Sequence, residues 1–160
     1  MILDPKKLVE LGVITNYSNL DEQLQPNSFD LTVKRIQVIE GCDGLGKPEL
    51  EDAQTIDESV FSIWAGKAHY VVFNEIVKIP QNVCGLVIPR SSANRVGIRI
   101  DSALYDSGFN DYIGATIYPW VDVKIEVNQR IATMIFMDAA GDRLYKGQWQ
   151  QHILKTGGKK

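Results

Sequence analysis

The sequence predicts an all-β fold, a barrel or double-sheet jelly roll. Three observations predict it. From Ser59 onward, short β-branched and aromatic runs follow one another, with turn residues at intervals of about ten. Beyond the first dozen residues no run has a helical period, apart from one turn at 91–96. The chain has 160 residues, 44% of them hydrophobic, with no internal repeat and no compositional break, which suits one domain with one core over 1–160.

The elements follow in order. Asp4 can cap a helix, Pro5 already has the φ of a first helical residue, and Gly12 can end it. A short helix is expected over 4–11, with Leu8, Val9 and Leu11 inward. Residues 13–28 read as loop. Phe29, Leu31 and Val33 then alternate with Asp30 and Thr32, the period of a strand with one polar face, running on toward Ile36, Val38 and Ile39. Asp30 is either solvated there or aimed at a site. Residues 41–58, rich in Gly, Asp and Glu, read as a surface excursion, and Glu49, Glu51 and Asp52 as a solvated charge run rather than a metal cluster. Strands are expected at 60–64, 69–73, 75–79, 83–88, 97–105, 112–119, 121–127 and 130–137, with a turn at Gly66-Lys67. From about Ala139 a polar tail carries Tyr145, Trp149 and the glutamines Gln148, Gln150 and Gln151. Such a segment can remain a tail or close over a ligand as a lid.

Composition excludes several functions. A net charge of −3 gives no general nucleic-acid or membrane surface. No apolar run is long enough to span a bilayer, and no signal-peptide layout is present. Cys42 and Cys84 lie far apart, and His69 and His152 do not cluster with them, which argues against zinc. Two reduced cysteines in a cytoplasmic protein are the expectation.

Chemistry concentrates in residues 89–109, P-R-S-S-A-N-R-V-G-I-R-I-D-S-A-L-Y-D-S-G-F. Arg90, Ser91, Ser92 and Arg95 supply charge and hydroxyls, and Asp106 a carboxylate, within about one hairpin's length. This is chemistry suited to an anion with a nearby general base. Taken singly, Arg-Ser-Ser after proline reads as a polar turn, and Asp106 before Ser-Gly as a turn former.

Five ordered segments carry a resemblance. Q-P-N-S-F-D-L, P-R-S-S-A-N-R-V-G-I, A-L-Y-D-S-G-F, N-Q-R-I-A-T-M-I-F and Y-K-G-Q-W-Q-Q resemble the five motifs of the dUTPase and dCTP deaminase superfamily, and most resemble its archaeal-type dUTPases. The resemblance implies a distorted jelly roll of the β-clip type. It also implies a homotrimer with active sites between subunits, and a nucleoside triphosphate bound with Mg²⁺. Of the family's two chemistries, deamination of dCTP uses a glutamate about ten residues beyond the third-motif aspartate. Here that place is Thr116, and no glutamate occurs between Glu75 and Glu126. A threonine cannot shuttle a proton near neutral pH. The resemblance therefore points to hydrolysis of dUTP to dUMP and pyrophosphate.

On that resemblance Asp106 activates the water. Arg90, Ser91 and Ser92 hold the phosphates, and Arg95 is a second phosphate contact or an interface residue. Phe109 packs under the deoxyribose, where the family usually has tyrosine. Backbone groups of the 97–105 hairpin, Ile98 among them, read the uracil edge. Asp30 helps to hold Mg²⁺ through water. Tyr145, with one or more of Gln148, Trp149, Gln150 and Gln151, closes on the phosphates and base. Three departures stand out: Thr133 where many dUTPases have glutamine, so that one phosphate contact is either lost or supplied by Gln129; a fifth motif without the usual arginine and glycine run; and Gln148 at a usual lysine. The rival readings are a dCTP deaminase or bifunctional enzyme, and a non-catalytic deoxynucleotide-binding protein.

Overall fold

The computed structural model describes residues 1–45 and 48–147. The first helix, α1 (Pro5–Glu10), forms as its end signals dictate. The Asp4 carboxylate accepts from Lys6 N at 2.9 Å, and Pro5 follows at the first helical position. Gly12, at φ +70°, closes the helix: its N–H donates to Val9 O, and Val13 N donates to Leu8 O at 2.8 Å, a Schellman closure that needs the left-handed backbone glycine tolerates. Leu8 is buried and Val9 partly so. Leu11 is exposed, because the closing turn carries it past the packed face.

The remaining elements are β1 (Ile14–Thr15), α2 (Leu20–Gln23), β2 (Phe29–Cys42), β3 (Pro48–Asp52), β4 (Thr55–Ile56), β5 (Val60–Ile63), β6 (His69–Lys78), β7 (Val83–Pro89), α3 (Ser91–Arg95), β8 (Ile98–Asp101), β9 (Asn110–Pro119), β10 (Val123–Glu126) and β11 (Arg130–Asp138). The larger sheet runs β7-β11-β2-β6-β9-β8, with β1 added to β6 and β3 to β2; the smaller runs β10-β5-β4. β2 is the corner. Residues 29–32 pair with β11 and residues 33–38 with β6, with register shifts at both changes. A strand that leaves one pairing for another through an irregularity is how a double-sheet fold turns its corners. The protein is thus an all-β jelly roll. One cluster of buried side chains joins Phe29, Phe73, Ile113 and Phe136 of the larger sheet to Phe61, Ile63 and Ile125 of the smaller.

Several expectations need correction. Residues 13–28 hold β1 and α2, and residues 41–58 hold β3 and β4, so neither stretch is plain loop. The runs at 69–73 and 75–79 are one strand, β6, whose register against β9 shifts between Val72 and Ile76. The run at 97–105 is a strand only over β8. Asp30 and Thr32 do not form a solvated face: each is 2% exposed. No helix among the described residues is long and apolar enough to cross a membrane.

Thr32 and the Asp30 main chain are tied into a polar network around Glu75, itself fully buried. Glu75 Oε1 accepts from Gln23 Nε2 at 2.7 Å and Thr32 Oγ1 at 2.6 Å, and Oε2 accepts from Thr32 N at 3.0 Å. Gln23 also donates to Asp30 O at 2.9 Å, which fastens α2 to β2. Burial pushes the Glu75 carboxyl above its ordinary 4.5, with the hydrogen bonds from Thr32 and Gln23 opposing. The folded protein therefore holds this proton more tightly than the unfolded chain. The stability it contributes is complete below pH 4.5 and lost as pH rises through the raised value. Glu75→Gln should flatten the pH slope of the urea midpoint just above that ordinary value. Asp30, raised in the same direction, should preserve part of it. A slope unchanged from wild type would show that Glu75 is not its source.

Candidate active site

Asp106 stands exposed at the tip of a turn whose backbone is held on both sides. Before it, Tyr105 N donates to Gly85 O at 2.9 Å and Tyr105 O accepts from Gly85 N at 2.8 Å. After it, Ser107 Oγ donates to Val83 O at 2.8 Å and Gly108 N to Ile79 O at 2.9 Å, while Phe109 O accepts from Ile79 N at 2.8 Å. Gly108 is required at φ +88°, and a Cβ there would press on Leu144 and Tyr145 N, at 3.1 and 3.2 Å. None of these bonds uses the Asp106 side chain, which projects into a cleft of about 470 Å³ lined also by Cys84, Leu104, Arg143 and Tyr145.

The described part of the tail packs on this turn. Tyr145 N donates to Ser107 O at 2.7 Å, and the Tyr145 ring meets Phe109 edge-on, centroids 5.8 Å apart. Phe109 meets Tyr105 likewise at 5.0 Å. Phe109 is thus buried within an aromatic trio, one member of which belongs to the tail. Gln148, Trp149, Gln150 and Gln151 lie outside the described residues.

A second cluster forms around Asp30. Arg90 Nε lies 2.8 Å from Asp30 Oδ2, and Arg130 Nη1 3.5 Å from the same oxygen. Arg90 Nη1 also donates to Arg130 O at 3.1 Å, and Arg130 Nη2 reaches Glu22 Oε2 at 3.4 Å. Thr133 stands opposite Asp30 in the β2–β11 register, its hydroxyl facing the carboxylate without reaching hydrogen-bond geometry. Burial pushes the Asp30 carboxyl up, while Arg90, Thr133 and Arg130 pull it down. The two guanidiniums keep about a quarter of their surface in water; the Asp30 side chain keeps 3%. The expectation that Asp30 holds Mg²⁺ through water therefore meets an obstacle, since its carboxylate is enclosed and already ion-paired. Ser91 and Ser92 are exposed in the first turn of α3, and Arg95 is exposed in its last. Gln129 lies beside Arg130 at the start of β11, where its Oε1 accepts from Glu126 N at 2.8 Å.

The two clusters lie at opposite ends of β7. Tyr105 bridges Gly85, and the chain then runs back past Val83, away from Arg90. Arg90 lies five residue steps along the strand from Gly85, roughly 16 Å. That is too far for the Arg90 and Asp106 side chains to meet. The gathering expected from their nearness in sequence does not occur within one chain. Arg130, which sequence reasoning passed over inside the fourth motif, completes the basic cluster. Its signal was a guanidinium opening the strand that lies against 29–32.

Ile98 is buried, and β8 is the last strand in hydrogen-bond order, so among the described residues no strand pairs with its outer edge. Thr116 is half-buried on β9, between Tyr70 of β6 and Asp101 of β8 in register. Asp101 is itself paired with Arg99 at 3.0 Å. Cys42 and Cys84 are both free. Among the described residues no group of three or more His, Cys, Asp or Glu is placed to hold a metal ion.

A model of the dCTP deaminase-like family matches residues 4–139. A protein of Methanosarcina acetivorans named "probable deoxyuridine 5′-triphosphate nucleotidohydrolase" is 29% identical, over 94% of this chain and 95% of its own. One of the same name from Aeropyrum pernix is 30% identical, over 94% of this chain and 98% of its own. Among solved structures, the 2′-deoxycytidine 5′-triphosphate deaminase of Agrobacterium tumefaciens superposes with a TM-score of 0.69 at 18% identity. That superposition covers 86% of this chain and spans about half, 48%, of the deaminase chain.

Proposed function

The chain belongs to the dCTP deaminase-like family, and from that premise we propose that it is a dUTP diphosphatase, converting dUTP and water to dUMP and pyrophosphate. The observation that carries this reading is an exposed carboxylate on a firmly held turn, Asp106, with a threonine at 116 where deamination needs a carboxylate. Asp106 takes a proton from water as the oxygen attacks the α-phosphorus, and the bond from that phosphorus to the pyrophosphate oxygen breaks. Arg90 and Arg130 neutralise charge that builds on the phosphates, with Ser91 and Ser92 as further donors. In this reading Phe109 packs under the deoxyribose and excludes a 2′-hydroxyl, and the outer edge of β8 at Ile98 offers backbone groups to the uracil.

Mg²⁺ suits this donor set as an ion carried mainly by the substrate's own phosphates, because Mg²⁺ keeps its waters and needs few protein ligands. It would neutralise the triphosphate and hold it in one shape. Asp30 serves instead as a brace, aiming Arg90 and Arg130. Because the Arg90 cluster and Asp106 cannot meet within one chain, a complete site takes Asp106 from one copy and Arg90 from another. A cyclic homotrimer, whose interfaces repeat head to tail, supplies three such sites.

Identifying the products from dUTP, dCTP and UTP with Mg²⁺ tests the proposal. dUMP and pyrophosphate from dUTP, unchanged dCTP and slow UTP are expected. One observation favours a second reading: Asp101 faces Thr116 across β8 and β9, on the same side of the sheet, so a carboxylate is near the deamination position after all. Deoxyuridine nucleotides formed from dCTP would establish that reading. Tight dUTP binding without turnover would leave a non-catalytic binder.

A further inference from the structure

β8 pairs with β9 only opposite residues 116–119, so at Gly114 no strand among the described residues lies along that edge of β9. The Tyr105 side chain fills the gap. Its hydroxyl donates to Gly114 O and accepts from Gly114 N at 2.9 Å, the two bonds a neighbouring strand would otherwise make. Its main chain is meanwhile bonded to Gly85 of β7 in both directions, at 2.9 and 2.8 Å. Tyr70 closes the other side: a Cβ on Gly114 would run into the Tyr70 hydroxyl, so ring and backbone already touch. The residue immediately before Asp106 is therefore held at its backbone by one strand and at its side-chain tip by another.

We infer that Tyr105 is a positioning residue for Asp106. Its hydroxyl replaces a missing stretch of strand and fixes the direction in which Asp106 leaves the sheet. The same anchor holds Phe109, whose ring leans edge-on against Tyr105. The inference rests on Asp106 being the base, because a carboxylate with no part in turnover would gain nothing from being aimed. Catalysis is sensitive to such aim: a displacement of about 1 Å at a reacting group can cost a hundredfold.

The test is a double-mutant cycle in the full chain, read as kcat and KM for dUTP. Tyr105→Phe keeps the ring and removes the two bonds. It should lower kcat about tenfold or more while KM stays within about threefold. In an Asp106→Asn background, followed by single turnovers with enzyme in excess, the same change should cost nothing further. A Phe61→Leu variant, matched for lost melting temperature on the smaller sheet, should keep wild-type kcat. Equal losses in both backgrounds, or a wild-type kcat in Tyr105→Phe, would overturn the inference. Near-normal turnover in Asp106→Asn alone would overturn the base assignment first, a separate and earlier result. Hydrogen exchange on the unaltered protein decides the matter without any variant folding: the Gly114 amide must be as protected as its β9 neighbours, and rapid exchange there overturns the inference.

Discussion

Asp106→Asn should give a folded protein that binds dUTP and turns it over about 10²–10⁴-fold more slowly. The size of the loss follows from what asparagine keeps and what it removes. The side chain is exposed, and the turn around it is held by Tyr105, Ser107, Gly108 and Phe109 through bonds that never involve the carboxylate. Stability should therefore stay within about 0.5 kcal/mol of wild type, as for a surface substitution. An amide has nearly the same shape but cannot accept a proton near neutral pH. Substrate affinity should survive, so kcat falls while the dissociation constant for dUTP changes little. Pyrophosphate release measures the first and calorimetry with a slowly hydrolysed substrate the second. Turnover within threefold of wild type would remove Asp106 from the base role. Lost binding with an unchanged rate would make it a sugar contact instead.

Much of the fold could be read from the chain alone, and the parts that could not share a cause. The strands announced themselves through period and turn residues, and α1 through Asp4, Pro5 and Gly12, because those signals act within a few residues. α2 carried a local start signal that was passed over, an Asn19 cap whose side chain accepts from Glu22 N at 3.3 Å. It is only four residues long, and what fastens it to the sheet is Gln23 bonding to Asp30 O and to Glu75, which is 52 positions away. Asp30 misled for the same reason. Alternation with Phe29 and Leu31 placed it on a polar face, yet the guanidiniums that enclose it arrive from positions 90 and 130. Tyr105 read as one more strand residue, since nothing local says that its hydroxyl ends on Gly114. The most consequential gap concerns residues 89–109 as a unit. Sequence proximity placed Arg90 and Asp106 together, whereas the return of the chain along β7 sends them to opposite ends. A sequence motif shared between subunits looks the same as one used within a single subunit.

That separation makes Arg90→Ala the variant with the other large effect, and it acts on two levels. Within the chain it leaves Asp30 buried with only Arg130, 3.5 Å from the same oxygen, as a counter-charge. Breaking a buried pair in this way should cost about 3 kcal/mol of unfolding free energy, the low end of the usual range because one guanidinium remains. Asp30→Asn in the same background should recover part of that loss, since the orphaned charge is then gone. At the site, the missing guanidinium should weaken both triphosphate binding and charge stabilisation in the transition state, lowering kcat/KM on the order of a hundredfold. The stability repair should not restore that activity, because Asp30 contacts Arg90 rather than substrate. Complementation separates the levels most cleanly. Arg90→Ala chains and Asp106→Asn chains should each be nearly inactive alone. Unfolded and refolded together in equal amounts, they should regain roughly a quarter of wild-type activity, the fraction of head-to-tail interfaces that draw Arg90 from one intact copy and Asp106 from another. If mixing restores nothing, both residues serve the same chain's site, and one bound substrate must reach from one end of β7 to the other.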